Sequence, residues 1–167
     1  MTPAELLSDA FQRVVDGGTA VVDGLDGDQL THRPGPDANS IAWLVWHLAR
    51  VQDDHVADVA GIDQVWIDQG FADRFDLPFD ERDTGYAHSS ADVAAVRADA
   101  DLLATYLRAV HEQTAEYLAK LGPDDLDRVV DERWDPPVTL GVRLVSVVND
   151  DGQHLGQAAY VRGLLGA

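Results

Sequence analysis

Two histidines and one aspartate are the residues of this chain best placed to do chemistry. His47 sits inside the apolar run Ile41-Ala42-Trp43-Leu44-Val45-Trp46-His47-Leu48-Ala49-Arg50. His154 lies four residues after Asp150, in Asn149-Asp150-Asp151-Gly152-Gln153-His154. An imidazole in apolar surroundings is costly unless something satisfies it. Asp150 and His154, at i and i+4, fall one turn apart on one face of a helix. A carboxylate and an imidazole on one helix, facing an imidazole on another, make a three-ligand set for a divalent metal. Three protein ligands leave coordination positions open, which is what catalysis uses. Gln157, near the same face, is placed to orient a ligand or a bound water.

Four long helical segments must position these groups. Pro3 to about Asp23 carries Leu6, Leu7, Ala10, Phe11, Val14 and Val15 at spacings of three and four, although Gly17-Gly18 interrupts the pattern. Asn39 or Ser40 caps a second helix that runs to about Ala60, before Gly61. Ser89 or Ser90 caps a third, Ala91 to Leu121, with Val93, Val96, Ala100, Leu103, Leu107 and Val110 at helical spacing and Gly122-Pro123 as its stop. The fourth runs from about Thr139 or Leu140 to Leu165. Few strand signals intervene, so the pattern predicts an all-α four-helix bundle over residues 1–167.

The loops are unequal. Gly24 to Asp37, rich in glycine, proline and aspartate, reads as a loop. The connections after helices two and three, Gly61 to Ser89 and Asp124 to Pro137, exceed the usual 2 to 8 or so residues of a bundle connection. The first is read as irregular, with room for short helical turns. Both carry aromatics: Trp66, Phe71, Phe75, Phe79 and Tyr86 in one, Trp134 in the other. Such segments either wall a pocket mouth over the metal site or cap the core.

On helix four, Val147, Asp150, His154, Ala158, Val161 and Leu165 share the stripe a bundle buries. On helix two, His47 shares its stripe with Trp43, Leu44 and Val51. The candidate ligands therefore point inward from two helices, whose axes in a bundle lie about 8 to 10 Å apart. Read from the residues alone, two roles stay open. The histidines are hydrogen-bonded core residues, or they ligate an ion. Asp150 also competes with Asp151, because only one of two adjacent residues points fully inward. His32, His55, His88 and His111 read as loop or surface residues.

Composition excludes several classes. Thirty acidic residues against twelve basic ones give a net charge of −18, a field that opposes nucleic acid and anionic lipid. No basic stripe offsets it. With no cysteine, disulfides, thiolate ligands and a cysteine nucleophile are all excluded. No apolar stretch approaches the roughly 20 residues of a membrane span. Met1-Thr2-Pro3-Ala4-Glu5 lacks the basic start of a signal peptide, and the expectation is a cytoplasmic protein.

The run Arg33 to Arg50, and Gln153-His154-Leu155-Gly156-Gln157-Ala158-Ala159-Tyr160-Val161-Arg162-Gly163, resemble the DinB-like superfamily. The branch is similar to the mycothiol transferases, related to mycothiol-dependent maleylpyruvate isomerases and bacillithiol transferases. The resemblance implies a four-helix bundle with His47, Asp150 and His154 as metal ligands, where the superfamily more often has histidine or glutamate at the Asp150 position. It implies zinc or nickel as the divalent metal and mycothiol as the thiol cosubstrate. The implied activity is thiol S-transfer or thiol-dependent isomerisation on a small electrophile, in a bundle that pairs as a homodimer. The alternatives are a metal hydrolase, or a stress-related or structural metal-binding bundle without catalysis.

Overall fold

The structure is a computed structural model describing residues 1–167. Its four long helices are α1 (Pro3–Val22), α3 (Ile41–Ala60), α7 (Ala100–Leu118) and α8 (Leu140–Leu165). The short helices α2 (Gly27–Thr31), α4 (Val65–Asp68), α5 (Phe71–Phe75) and α6 (Ser90–Ala95) lie in the connections. The only strands are β1 (Val129–Asp131) and β2 (Val138–Thr139), a small antiparallel hairpin after a 3₁₀ turn at Pro123–Asp127. No helix is long and apolar enough to cross a membrane.

Local chemistry sets the ends. Thr2 and Glu5 form a reciprocal capping box at α1, with Pro3 in the first turn. Ser40 accepts from Trp43 N at the start of α3, and Gly61, at φ 67°, closes it. Thr139 caps α8 through Val142 N. The long third helix read from the sequence is broken. Val96 leaves the helical region, and the Asp99 carboxylate accepts from Leu102 N to start α7 afresh. The apolar period continues through Val96 and Leu103, both buried. Here a strong local cap overrides a continuous hydrophobic stripe. In the same way Asp26 and Gln29 form a capping box inside the predicted Gly24–Asp37 loop and produce α2.

In the bundle, α3 packs against α8 and α7, and α1 packs against the same two helices from the other side. Of these, α3 is the most enclosed: every residue from Ile41 to Arg50 is buried. Gly17 and Gly18 do not interrupt α1. They let neighbours approach, since a Cβ on Gly18 would stand 2.4 Å from Leu107 Cδ2 and one on Gly17 would stand 2.7 Å from Leu155 Cδ2. The main core joins Val14, Val22, Leu44, Leu48, Leu103, Leu107 and Ala158 from all four long helices. A smaller cluster of Phe11, Val56, Leu118, Leu140 and Leu144 fills the other end. This arrangement holds one face of α3 against one face of α8.

Candidate metal centre

His47 of α3 and Asp150 and His154 of α8 meet in that interface. One ligand-type atom from each lies within 4.8 Å of the others, so small side-chain rotations would put all three on one ion. The imidazoles of His47 and His154 meet edge to face, centroids 4.7 Å apart. His154 Nε2 stands 3.7 Å from Asp150 Oδ1.

The histidines are oriented from behind. His47 Nδ1 donates to the Thr84 carbonyl, and His154 Nδ1 faces Gln157 Oε1 at 3.4 Å. Both Nδ1 positions meet oxygens that can only accept, which leaves each Nε2 as the lone-pair nitrogen. Trp43 stacks on His47, with centroids 4.5 Å apart and planes at 15°, and meets His154 edge-on at 6.1 Å. Burial is the main cause that lowers the His47 pKa from its ordinary value, so the ring stays neutral and able to ligate. Asp150 Oδ2 is buried without a hydrogen-bond partner. An unpartnered carboxylate oxygen beside two imidazole nitrogens is a set of donors that could hold a divalent cation.

Of the two adjacent aspartates, Asp151 is the fully buried one, and neither of its oxygens has a partner. Burial and then the Asp150 charge push its carboxyl well above the usual range. Asp150 is half-buried and faces His154. The inward residue and the ligand-like residue are therefore different, because the triad lies at the edge of the α3–α8 interface and not at its centre.

His88 departs from the sequence reading. It lies in the connection, yet its side chain is only 5% exposed. Its ring stacks on Trp46 and packs against Phe79. Trp43 Nε1 donates to His88 Nδ1 at 3.1 Å, and His88 Nε2 donates to Asp83 Oδ2 at 3.1 Å. Arg50, fully buried, donates to the carbonyls of Asp83 and Glu81. Trp43, His47 and Arg50, at i, i+4 and i+7 on α3, all hold the segment 81–88. A buried arginine in an apolar helix was the available signal for this clamp. Gly85, at φ +93°, completes it. A Cβ there would stand 2.7 Å from His47 Nδ1 and 3.0 Å from Trp46. His55 is half-buried and accepts from Arg143 Nη1, and His111 pairs with Gln12. Neither joins the triad.

The aromatics of the long connections divide. Trp66, Phe71 and Phe75 are buried around Tyr106 and cap the core. Tyr86 projects to solvent, 90% exposed. Trp134, 65% exposed, lines a cavity that Asp150 also lines.

An all-α fold with a histidine–aspartate–histidine cluster between two long helices is the architecture the sequence resemblance implied. The family model described as mycothiol S-transferase matches residues 6–167, and the chain belongs to that family, within the DinB-like superfamily. It is similar to a solved structure, a conserved protein from Enterococcus faecalis. That likeness has 31% identity and a TM-score of 0.92, over 100% of this chain and 99% of that one. No protein of curated function matches it.

Proposed function

We propose that this protein is a metal-dependent S-transferase that joins mycothiol to a small electrophile. The observation that carries this reading is the convergence of His47, Asp150 and His154, with one carboxylate oxygen unpartnered and both imidazoles held from behind. Family membership supports the thiol. These three residues would hold zinc or nickel. A bound ion would supply Lewis acidity, the property that lowers the pKa of a coordinated thiol. The chain has no cysteine, so the sulfur must come with the cosubstrate.

The protein's own residues do the rest. Thr84 and Gln157 fix the imidazole tautomers. Trp43 closes one side of the centre against water and keeps His47 in a single orientation. Asp150, with 38% of its side chain exposed, marks the side from which substrates enter.

The test is turnover of a bromomethyl arene by the zinc- or nickel-loaded full chain, followed by bromide release. Mycothiol should support turnover, and an equal concentration of cysteine should support far less. Metal-dependent turnover without any thiol would favour a hydrolase. A protein that takes up one ion per chain and turns over nothing would leave a binding role only.

A further inference from the structure

A cavity of about 410 Å³ opens between α3, the β1–β2 hairpin and the first half of α8. Its lining includes Asp150, so whatever fills it lies against the proposed centre. It also includes Arg133, Arg143, His55 and Trp134. In a chain with only twelve basic residues and a net charge of −18, two arginines beside one opening are unusual, and they bring the lining to charge balance with Asp131 and Asp150. Their protein partner is a single carboxylate. Arg133 uses Nε and Nη2 on Asp131, and Arg143 uses Nη2 on Asp131 Oδ2 at 3.1 Å. Both arginines share that one carboxylate, while the other carboxylate of the lining, Asp150, stands 3.7 Å from His154 Nε2 as a proposed ligand.

Arg143 has donors to spare. A guanidinium carries five N–H groups. Its recorded bonds, to Asp131 and to His55 Nδ1 at 2.9 Å, use two. Accepting at Nδ1 leaves the His55 N–H on Nε2, a further donor in the same lining. The Arg143 side chain is only 14% exposed, so its charge is poorly screened and strengthens any hydrogen bond it makes. Trp134 supplies an apolar wall at the mouth, suited to a flat hydrocarbon body.

We propose that this cavity holds the electrophile and selects one that carries a carboxylate, with Arg143 and Arg133 as the residues that read its charge. The proposal rests on the S-transferase reading for its reaction, but not for its binding site. In that reaction the thiol proton passes to solvent and the sulfur–carbon bond forms. The bond to the leaving group breaks, and the leaving group departs with the electron pair.

The test uses the metal-loaded full chain with mycothiol and two electrophiles of one shape, 4-(bromomethyl)benzoate and 4-(bromomethyl)benzamide. Both present the same reacting carbon, and only one is charged. The amide keeps an accepting oxygen but lacks the charge that strengthens a bond from the guanidinium, so the benzoate should react with a kcat/KM at least about tenfold higher. The difference should sit in KM. Arg143→Gln should abolish the preference. Arg133→Gln should reduce it with the fold retained, because Arg143 still pairs the buried Asp131 carboxylate. Equal kcat/KM for the two compounds in the wild type overturns the proposal. So does a preference that survives both substitutions.

Calorimetry with unreactive benzoate, in the absence of thiol, separates this proposal from the S-transferase reading. If neither electrophile turns over but benzoate binds, and Arg143→Gln weakens it about tenfold, the anion site stands and the S-transferase reading fails. Benzoate binding that vanishes on stripping the metal, yet ignores both substitutions, puts the carboxylate on the ion and overturns the site. Should Arg143→Gln lose helicity by circular dichroism, Arg133→Gln and Arg143→Lys carry the comparison.

Discussion

Removing the His47 imidazole distinguishes a ligand from a core histidine. His47→Ala deletes one proposed ligand and one hydrogen bond to the Thr84 carbonyl. The expected outcome is loss of bound zinc, from about one ion per chain to near none, with helicity retained. Elemental analysis and circular dichroism check it. A purely structural histidine would instead show a lower melting temperature with metal content unchanged. His55 gives the pH dependence at this scale. Burial, and then the neighbouring Arg143 cation, lower its pKa from the ordinary value. Between its folded pKa and the unfolded value the native state binds fewer protons than the unfolded one, so stability rises with pH there. The contribution is complete above about 6.5 and is lost as pH falls through the folded pKa. His55→Gln should flatten the stability slope below neutrality, read from urea midpoints. An unchanged slope would show that the imidazole is no more desolvated folded than unfolded.

Elements meet the site through the segment 81–88. Gly85→Ala forces a side chain onto backbone at φ +93° and onto His47 Nδ1. Strain of this kind costs about 1 to 3 kcal/mol. It should also displace the Thr84 carbonyl and weaken zinc binding by about 10- to 100-fold, as loss of a ligand's outer partner does. Chelator competition measures this, and wild-type affinity in the variant would show that Thr84 does not orient His47. On the far side of α3, Asp53 accepts from Val65 N, Trp66 N and Tyr106, and pairs with Arg50 at 3.6 Å. Both charged side chains are fully buried. Asp53→Asn leaves a buried guanidinium without its counter-charge, and should destabilise the fold by about 3 to 5 kcal/mol in urea unfolding.

At the scale of the whole molecule, the charge of −18 governs association. α8 leaves Val142, Val145, Tyr160 and Leu164 exposed, an apolar face on an acidic body. We propose that two chains pair, and such a pair should tighten as salt rises, because screening weakens the repulsion between copies. Sedimentation at about 0.05 and 0.5 M salt, on either side of the physiological Debye length, checks it. A dimer that dissociates on adding salt would point to ion pairs at the interface. The same field should keep the protein off duplex DNA at physiological salt, and a mobility shift at sub-micromolar protein would overturn that expectation.

The amino-acid sequence by itself determined α1, α3 and α8, and α7 apart from its start. Their period and their caps at Thr2, Ser40 and Thr139 are local, and each is satisfied within one turn of chain. It also made the candidate triad legible, because i, i+4 spacing puts Asp150 and His154 on one face of α8 and an apolar run buries His47, although Asp150 is half-buried and its neighbour Asp151 is the inward residue. Local chemistry explains one error as well: the Asp99 cap broke a helix that its hydrophobic stripe would have continued. Only the tertiary structure decided what surrounds the triad. The contacts of Thr84, Gly85 and His88 with α3 join residues about forty positions apart, and no periodicity encodes them. The choice between Asp150 and Asp151 depended on how far α8 is rotated against α3. The core contacts of α8, among them Leu155 against Gly17, join residues far apart along the chain, and no local periodicity sets them.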